Sequence, residues 1–103
     1  MERIGYWKMS YIIKYAIKAK KDLREIKDYI SKDSVNAAIT VLNYLYDCID
    51  DLKTTPSIGK YGRVVNTKEL IIDKYPYIVS YKLKGGVVYI LRVYHTSRKW
   101  GED

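Results

Sequence analysis

Among its 103 residues the chain holds one cysteine, one histidine, two prolines and no phenylalanine. A lone thiol, Cys48, excludes an internal disulfide and a cysteine-built metal site. With His95 as the sole imidazole, a structural zinc centre has no ligand set. No apolar run approaches the roughly 20 residues of a membrane-spanning helix. The opening Met1-Glu2-Arg3-Ile4-Gly5-Tyr6-Trp7-Lys8 also lacks the apolar stretch of a signal peptide. The expectation is a cytoplasmic protein that uses no membrane, metal or cofactor.

What is present is an ordinary globular composition, 48% hydrophobic and 30% charged, which excludes the disordered class. A chain of this length forms one domain and buries roughly 60 to 70% of its unfolded surface. Met9-Ser10 resembles an alternative start, so residues 1–8 are read as an extension outside the core and residues 9–103 as the single domain. The net charge of +7 is unevenly spread, with +5 over residues 1–32, −3 over 33–58 and +5 over 59–103. Such a surface suits an acidic partner or a nucleic acid, although charge speaks to association and not to fold.

The run from Ser10 to Ile17, "SYIIKYAI", reads as a first strand. From Lys18 the period changes: Ala19, Leu23, Ile26 and Ile30 form the stripe of an amphipathic helix, with Lys21/Glu25 and Arg24/Asp28 at i,i+4 on its polar side. Asp33 and Ser34 both suit an N-cap. The helix they start carries Ala38, Leu42, Leu45, Ile49 and Leu52 and stops before "TTPSIGKYG". So short a link predicts an antiparallel helical hairpin. Beyond Gly62 the pattern is β, with short strand candidates at "RVV" (63–65) and "KELIID" (68–73). "YIVSYKLK" and "VVYILRVYH" are longer ones, joined by Gly85-Gly86.

The order is β-α-α-β-β-β, an α+β fold with the hairpin on one face of a small antiparallel sheet. In the first long strand Tyr77, Val79, Tyr81 and Leu83 should meet the helices, while Ile78, Ser80, Lys82 and Lys84 face outward. The last strand resists this division, because both of its alternating sets are apolar.

"AKKDLREIKDYI", "PSIGKYGRVVNTKELIIDKYPYIVSYK" and "VYILRVYHTSRKW" together cover nearly the whole chain from Met9 to Trp100. In these stretches the sequence resembles the RelE/ParE superfamily of type II toxin-antitoxin toxins, closest to the ParE-like, plasmid-stabilisation branch. The resemblance implies the same hairpin-on-sheet fold. It also implies a growth-inhibiting toxin neutralised by a cognate antitoxin, with which it forms an oligomer. ParE-like members inhibit DNA gyrase, and RelE-like members are ribosome-dependent mRNA endonucleases. The first is the expected activity; the alternative is the second, which would need a base, an acid and cations at the scissile phosphate.

If the chain were a ribonuclease, His95, Arg92 and Arg98 would be its catalytic set. The favoured reading instead has His95 capping the last strand through neighbouring backbone, and Arg92 pairing with a carboxylate such as Glu69. Arg63, Lys68, Lys82, Lys84, Arg98, Lys99 and Trp100 are expected to contact the target or the antitoxin.

Overall fold

The computed structural model describes residues 10–97. In chain order these form β1 (Ile12–Tyr15), α1 (Ile17–Ser31), α2 (Val35–Asp50), a 3-10 turn (Asp51–Lys53), β2 (Lys60–Tyr61), β3 (Lys68–Ile71), β4 (Tyr77–Lys84) and β5 (Val87–His95). The two helical stripes pack as their spacing requires. Ala19 and Leu23 of α1 are buried, as are Ala38, Leu42, Leu45 and Ile49 of α2 and Leu52 just beyond it. Ser34 starts α2 by accepting the Ala37 N–H at 3.1 Å, whereas Ala16 at the start of α1 provides no side-chain cap.

The strands form one sheet in the order β1-β5-β4-β3-β2. Helix α1 packs on this sheet and α2 packs on α1. Tyr77, Val79 and Tyr81 of β4 and Val88, Ile90 and Val93 of β5 complete the core. The hairpin on one sheet face, the α+β class and the inward set of β4 are therefore as expected. The sheet is mixed, however: β1 lies parallel to β5, pairing Ile12 with Val87 through Tyr15 with Ile90, and the remaining pairs are antiparallel. The Gly85-Gly86 turn has φ of 57° and 77°, the positive pair that a tight hairpin needs.

Two local differences have physical causes. Residues 63–65, expected as a strand, lie in a turn closed by the Gly62 N–H to Thr67 O bond at 2.8 Å and the Thr67 N–H to Val64 O bond at 3.2 Å. Asn66 there adopts a φ of 67°, which a strand cannot contain. The strand falls instead at Lys60–Tyr61. In β5, Arg92 lies opposite Ser80 while Ile90 lies opposite Tyr81, so Leu91 is an extra residue and the strand bulges. The bulge switches the inward set from Val88 and Ile90 to Val93, which is why simple alternation fails there. Residues 1–8, expected as an extension, lie outside the described residues.

Candidate functional site

Directly paired residues share a sheet face, so the register assigns the uncovered face. Lys82 lies opposite Tyr89, which in turn lies opposite Lys14 of β1. Lys84 pairs with Val87, and Val87 with Ile12. The next row is polar, running Lys60, Glu69, Ser80 and Arg92 across four strands. The Lys82 ammonium stands 5.8 Å from the Tyr89 ring and the Arg92 guanidinium 5.0 Å from the Tyr94 ring. This face is therefore a field of cations over tyrosine rings, geometry that suits anionic surfaces.

Arg92 is also part of the scaffold. Its Nε donates to Asp22 Oδ2 at 2.8 Å and its Nη2 to Asp22 Oδ1 at 3.1 Å, while the Val93 N–H donates to Asp22 Oδ2 at 2.9 Å. Strand β1 has its last pairing opposite Ile90, so the Val93 N–H lies past its end and takes a carboxylate from α1 in place of a strand. Asp22 is only 5% exposed, which suits a carboxylate holding three hydrogen bonds. The expected carboxylate partner for Arg92 is thus Asp22 and not Glu69. Glu69 accepts the Arg63 backbone N–H at 3.1 Å.

His95 lies on the other side of the sheet. It pairs with Tyr77, an inward residue, and their rings meet edge to face at 5.4 Å. Its Nδ1 accepts the Ser97 N–H at 3.2 Å and lies 2.7 Å from Ser97 Oγ. A backbone N–H can only donate, so the neutral ring carries its proton on Nε2. This is the bond to neighbouring backbone that the cap reading requires. His95 lines a cleft of about 590 Å³ with Asp22, Glu25, Ile26 and Tyr29 of α1. Burial pushes the Tyr77 hydroxyl above its ordinary pKa, so it stays protonated.

Of the expected contact residues, Lys82 and Lys84 stand together on the uncovered face. Lys68 does not join them. It lies opposite the inward Tyr81, on the helix side of the sheet's far edge, with its ammonium 4.9 Å from the Tyr61 ring. Arg63 is in the turn between β2 and β3. Arg98, Lys99 and Trp100 lie outside the described residues. Sequence reading missed Lys14, Tyr89 and Tyr94 as members of the face and Asp22 as its anchor. The alternation of Ile12 and Lys14 with Ile13 and Tyr15 was the available signal for the first of these.

A second concavity, about 560 Å³, runs between the helices. Its floor is Leu23, Ala38 and Leu42, and Lys20, Arg24 and Lys27 stand along it. Cys48 is half-buried beside α2's apolar stripe, and burial pushes its thiol up. Among the described residues no cluster of three or more His, Cys, Asp or Glu could hold a metal, and no helix is long and apolar enough to cross a membrane.

Residues 13–100 match the family described as the ParE toxin of the type II toxin-antitoxin system parDE. A Sinorhizobium fredii protein whose name calls it a toxin, Y4kP, is 35% identical over 88 residues, which are 85% of this chain and 91% of that relative. Toxin RelE2 of Caulobacter vibrioides is 32% identical over 81 residues, 79% of this chain and 90% of its own length. Among solved structures, the chromosomal ParDE system of P. aeruginosa superposes with a TM-score of 0.78 at 21% identity, covering 85% of this chain and 98% of that one. The intact E. coli RelBE toxin-antitoxin complex gives 0.65 at 18%, covering 86% and 100%. These two likenesses concern the fold.

Proposed function

This chain belongs to the ParE toxin family of type II toxin-antitoxin systems, and on that premise we propose that it arrests growth by binding DNA gyrase and breaks no bond itself. A cognate antitoxin holds it in check, as the toxin-antitoxin complexes among its structural neighbours suggest. The observation that carries the binding reading is a separation. The uncovered face gathers Lys14, Lys82 and Lys84, while His95, the side chain suited to proton transfer near neutral pH, stands on the opposite side against Tyr77. Arg92, on the same strand as His95, is already held by Asp22. A ribonuclease needs its base, acid and cations around one phosphate. Here Lys14, Lys82 and Lys84 stand on the sheet face away from His95.

The target is expected to use Lys82 and Lys84; Arg98, Lys99 and Trp100, expected in the same role, lie outside the described residues. Purified toxin added to gyrase and relaxed plasmid should block supercoiling, and stoichiometric antitoxin should restore it. Relatives bear both ParE and RelE names, so the same preparation is added to ribosomes programmed with mRNA. Transcripts cut only when ribosomes are present, with gyrase unaffected, would replace this reading with the endonuclease one.

A further inference from the structure

Within eight residues at the far edge of the sheet, four large apolar side chains face solvent: Ile58 is 65% exposed, Tyr61 88%, Val64 62% and Val65 82%. Exposed apolar residues in a floppy loop would mean little, but this segment is tethered from beneath. Tyr81, fully buried, donates its hydroxyl proton to Pro56 O at 2.7 Å and accepts the Gly59 N–H at 2.9 Å. Glu69, 5% exposed, accepts the Arg63 N–H. Thr67, 8% exposed, donates its hydroxyl to Val64 O at 2.6 Å. Gly59 and Gly62 complete the fit, since a Cβ at either would stand 2.5 Å from the Tyr81 hydroxyl or 2.2 Å from Thr67 Oγ1.

Burying a carboxylate and two hydroxyls is costly unless they are hydrogen-bonded, and here each of the three bonds the backbone of the segment from Pro56 to Val64. The fold thus commits buried polar groups to hold an apolar surface outward. From this we infer that residues 58–65 are the part of the toxin that enters its target, a rigid apolar projection seated in an acid-rimmed apolar cleft of a folded protein. The inference rests on the reading that the toxin acts by binding a protein.

The occupant follows from shape and charge. A projection needs a partner that is itself concave, which a folded protein offers. A disordered antitoxin segment instead needs a groove to lie in, such as the one between α1 and α2 lined by Leu23, Leu42 and Arg24. Lys60 lies within the projection and Lys68 just past it, and no acidic residue occurs from Ile58 through Lys68, so the cleft's rim is acidic. A surface already fixed in its bound shape loses little entropy on docking, which makes a few exposed side chains sufficient anchors.

Val65→Asp and, separately, Tyr61→Ser are compared with the wild-type toxin, both changes being on exposed side chains outside the tethers. Three quantities are measured: the inducer level that arrests growth at matched toxin abundance, the concentration that half-inhibits gyrase supercoiling, and the affinity for antitoxin. The inference expects the first two to rise about tenfold or more with antitoxin affinity and thermal midpoint kept. If wild-type toxin spares gyrase yet Val65→Asp still abolishes growth arrest, the projection stands and the gyrase reading alone falls. Variants as toxic as wild type would overturn the inference. So would a parallel loss of antitoxin binding, a wild-type dimer that Val65→Asp dissociates in sedimentation, or a wild-type chain without any toxicity.

Discussion

At the scale of single residues, Asp22 ties helix α1 to strand β5. One carboxylate secures the Arg92 guanidinium and the Val93 N–H at the point where β5 runs past the end of β1. Removing one partner of a buried pair strands the other, so Asp22→Ala is expected to cost about 3 to 5 kcal/mol, read from the shift in urea midpoint. Asp22→Asn should cost less, because an amide oxygen still accepts from Val93. A second residue couples stability to pH. The Tyr15 hydroxyl is pushed up to about 12, first by burial and then by the neighbouring Tyr46 and Asp50. An unfolded tyrosine ionises near 10, so above that pH the unfolded chain gains a charge that the folded one still resists. The contribution is complete below about pH 10 and is lost as pH rises to about 12. Urea midpoints measured across this window should fall, and Tyr15→Phe should flatten part of the fall.

At the scale of elements, the two helices start differently and should respond oppositely to capping changes. Ser34→Ala removes a bond that α2 uses, and Ala16→Ser offers α1 one it lacks. Each change is expected to move stability by about 1 kcal/mol, downward for the first and upward for the second, as read by thermal unfolding. The same elements show why parts of the fold were legible in sequence. Helical stripes and the alternation of β4 are local patterns with a fixed period, and their residues are buried or, like Ile26, Ile30 and Leu83, partly buried against the core. The turn at 62–67 was not legible, because the signal of Asn66 is outweighed by the neighbouring valines and the holding bonds come from Thr67 and from Glu69 in the next strand. Val64 and Val65 favour strands, yet they stand exposed on a turn. The faces of β5 were hidden by the bulge at Leu91, which exchanges one parity for the other midway. In the candidate site, Lys82 and Lys84 followed from alternation alone. Lys14, Tyr89 and the side of the sheet on which Lys68 stands depended on strand order and register, which no local pattern specifies.

At the scale of the whole molecule, the sheet divides the chain into two chemically different sides. One displays Lys14, Lys82 and Lys84 beside tyrosine rings. The other carries the helices and the cleft that His95 lines together with Asp22, Glu25 and Tyr29. If growth arrest comes from binding through the first side, reversing charge there must weaken it while disturbing the second side must not. Lys82→Glu/Lys84→Glu should therefore raise the toxin concentration needed for half-inhibition by about tenfold or more, and it should flatten the dependence on ionic strength that a cationic contact carries. His95→Ala should leave growth arrest intact, because among the described residues the imidazole bonds Ser97 and packs on the Tyr77 ring, away from the cationic face. Thermal midpoints show whether either variant merely unfolds. The informative contrast is the pair, measured at equal abundance by induced expression and by supercoiling inhibition. A His95→Ala toxin that folds, binds antitoxin and has lost its toxicity would place a proton-transfer step in the cleft, and the chemistry would then have to be sought on the helix side of the sheet.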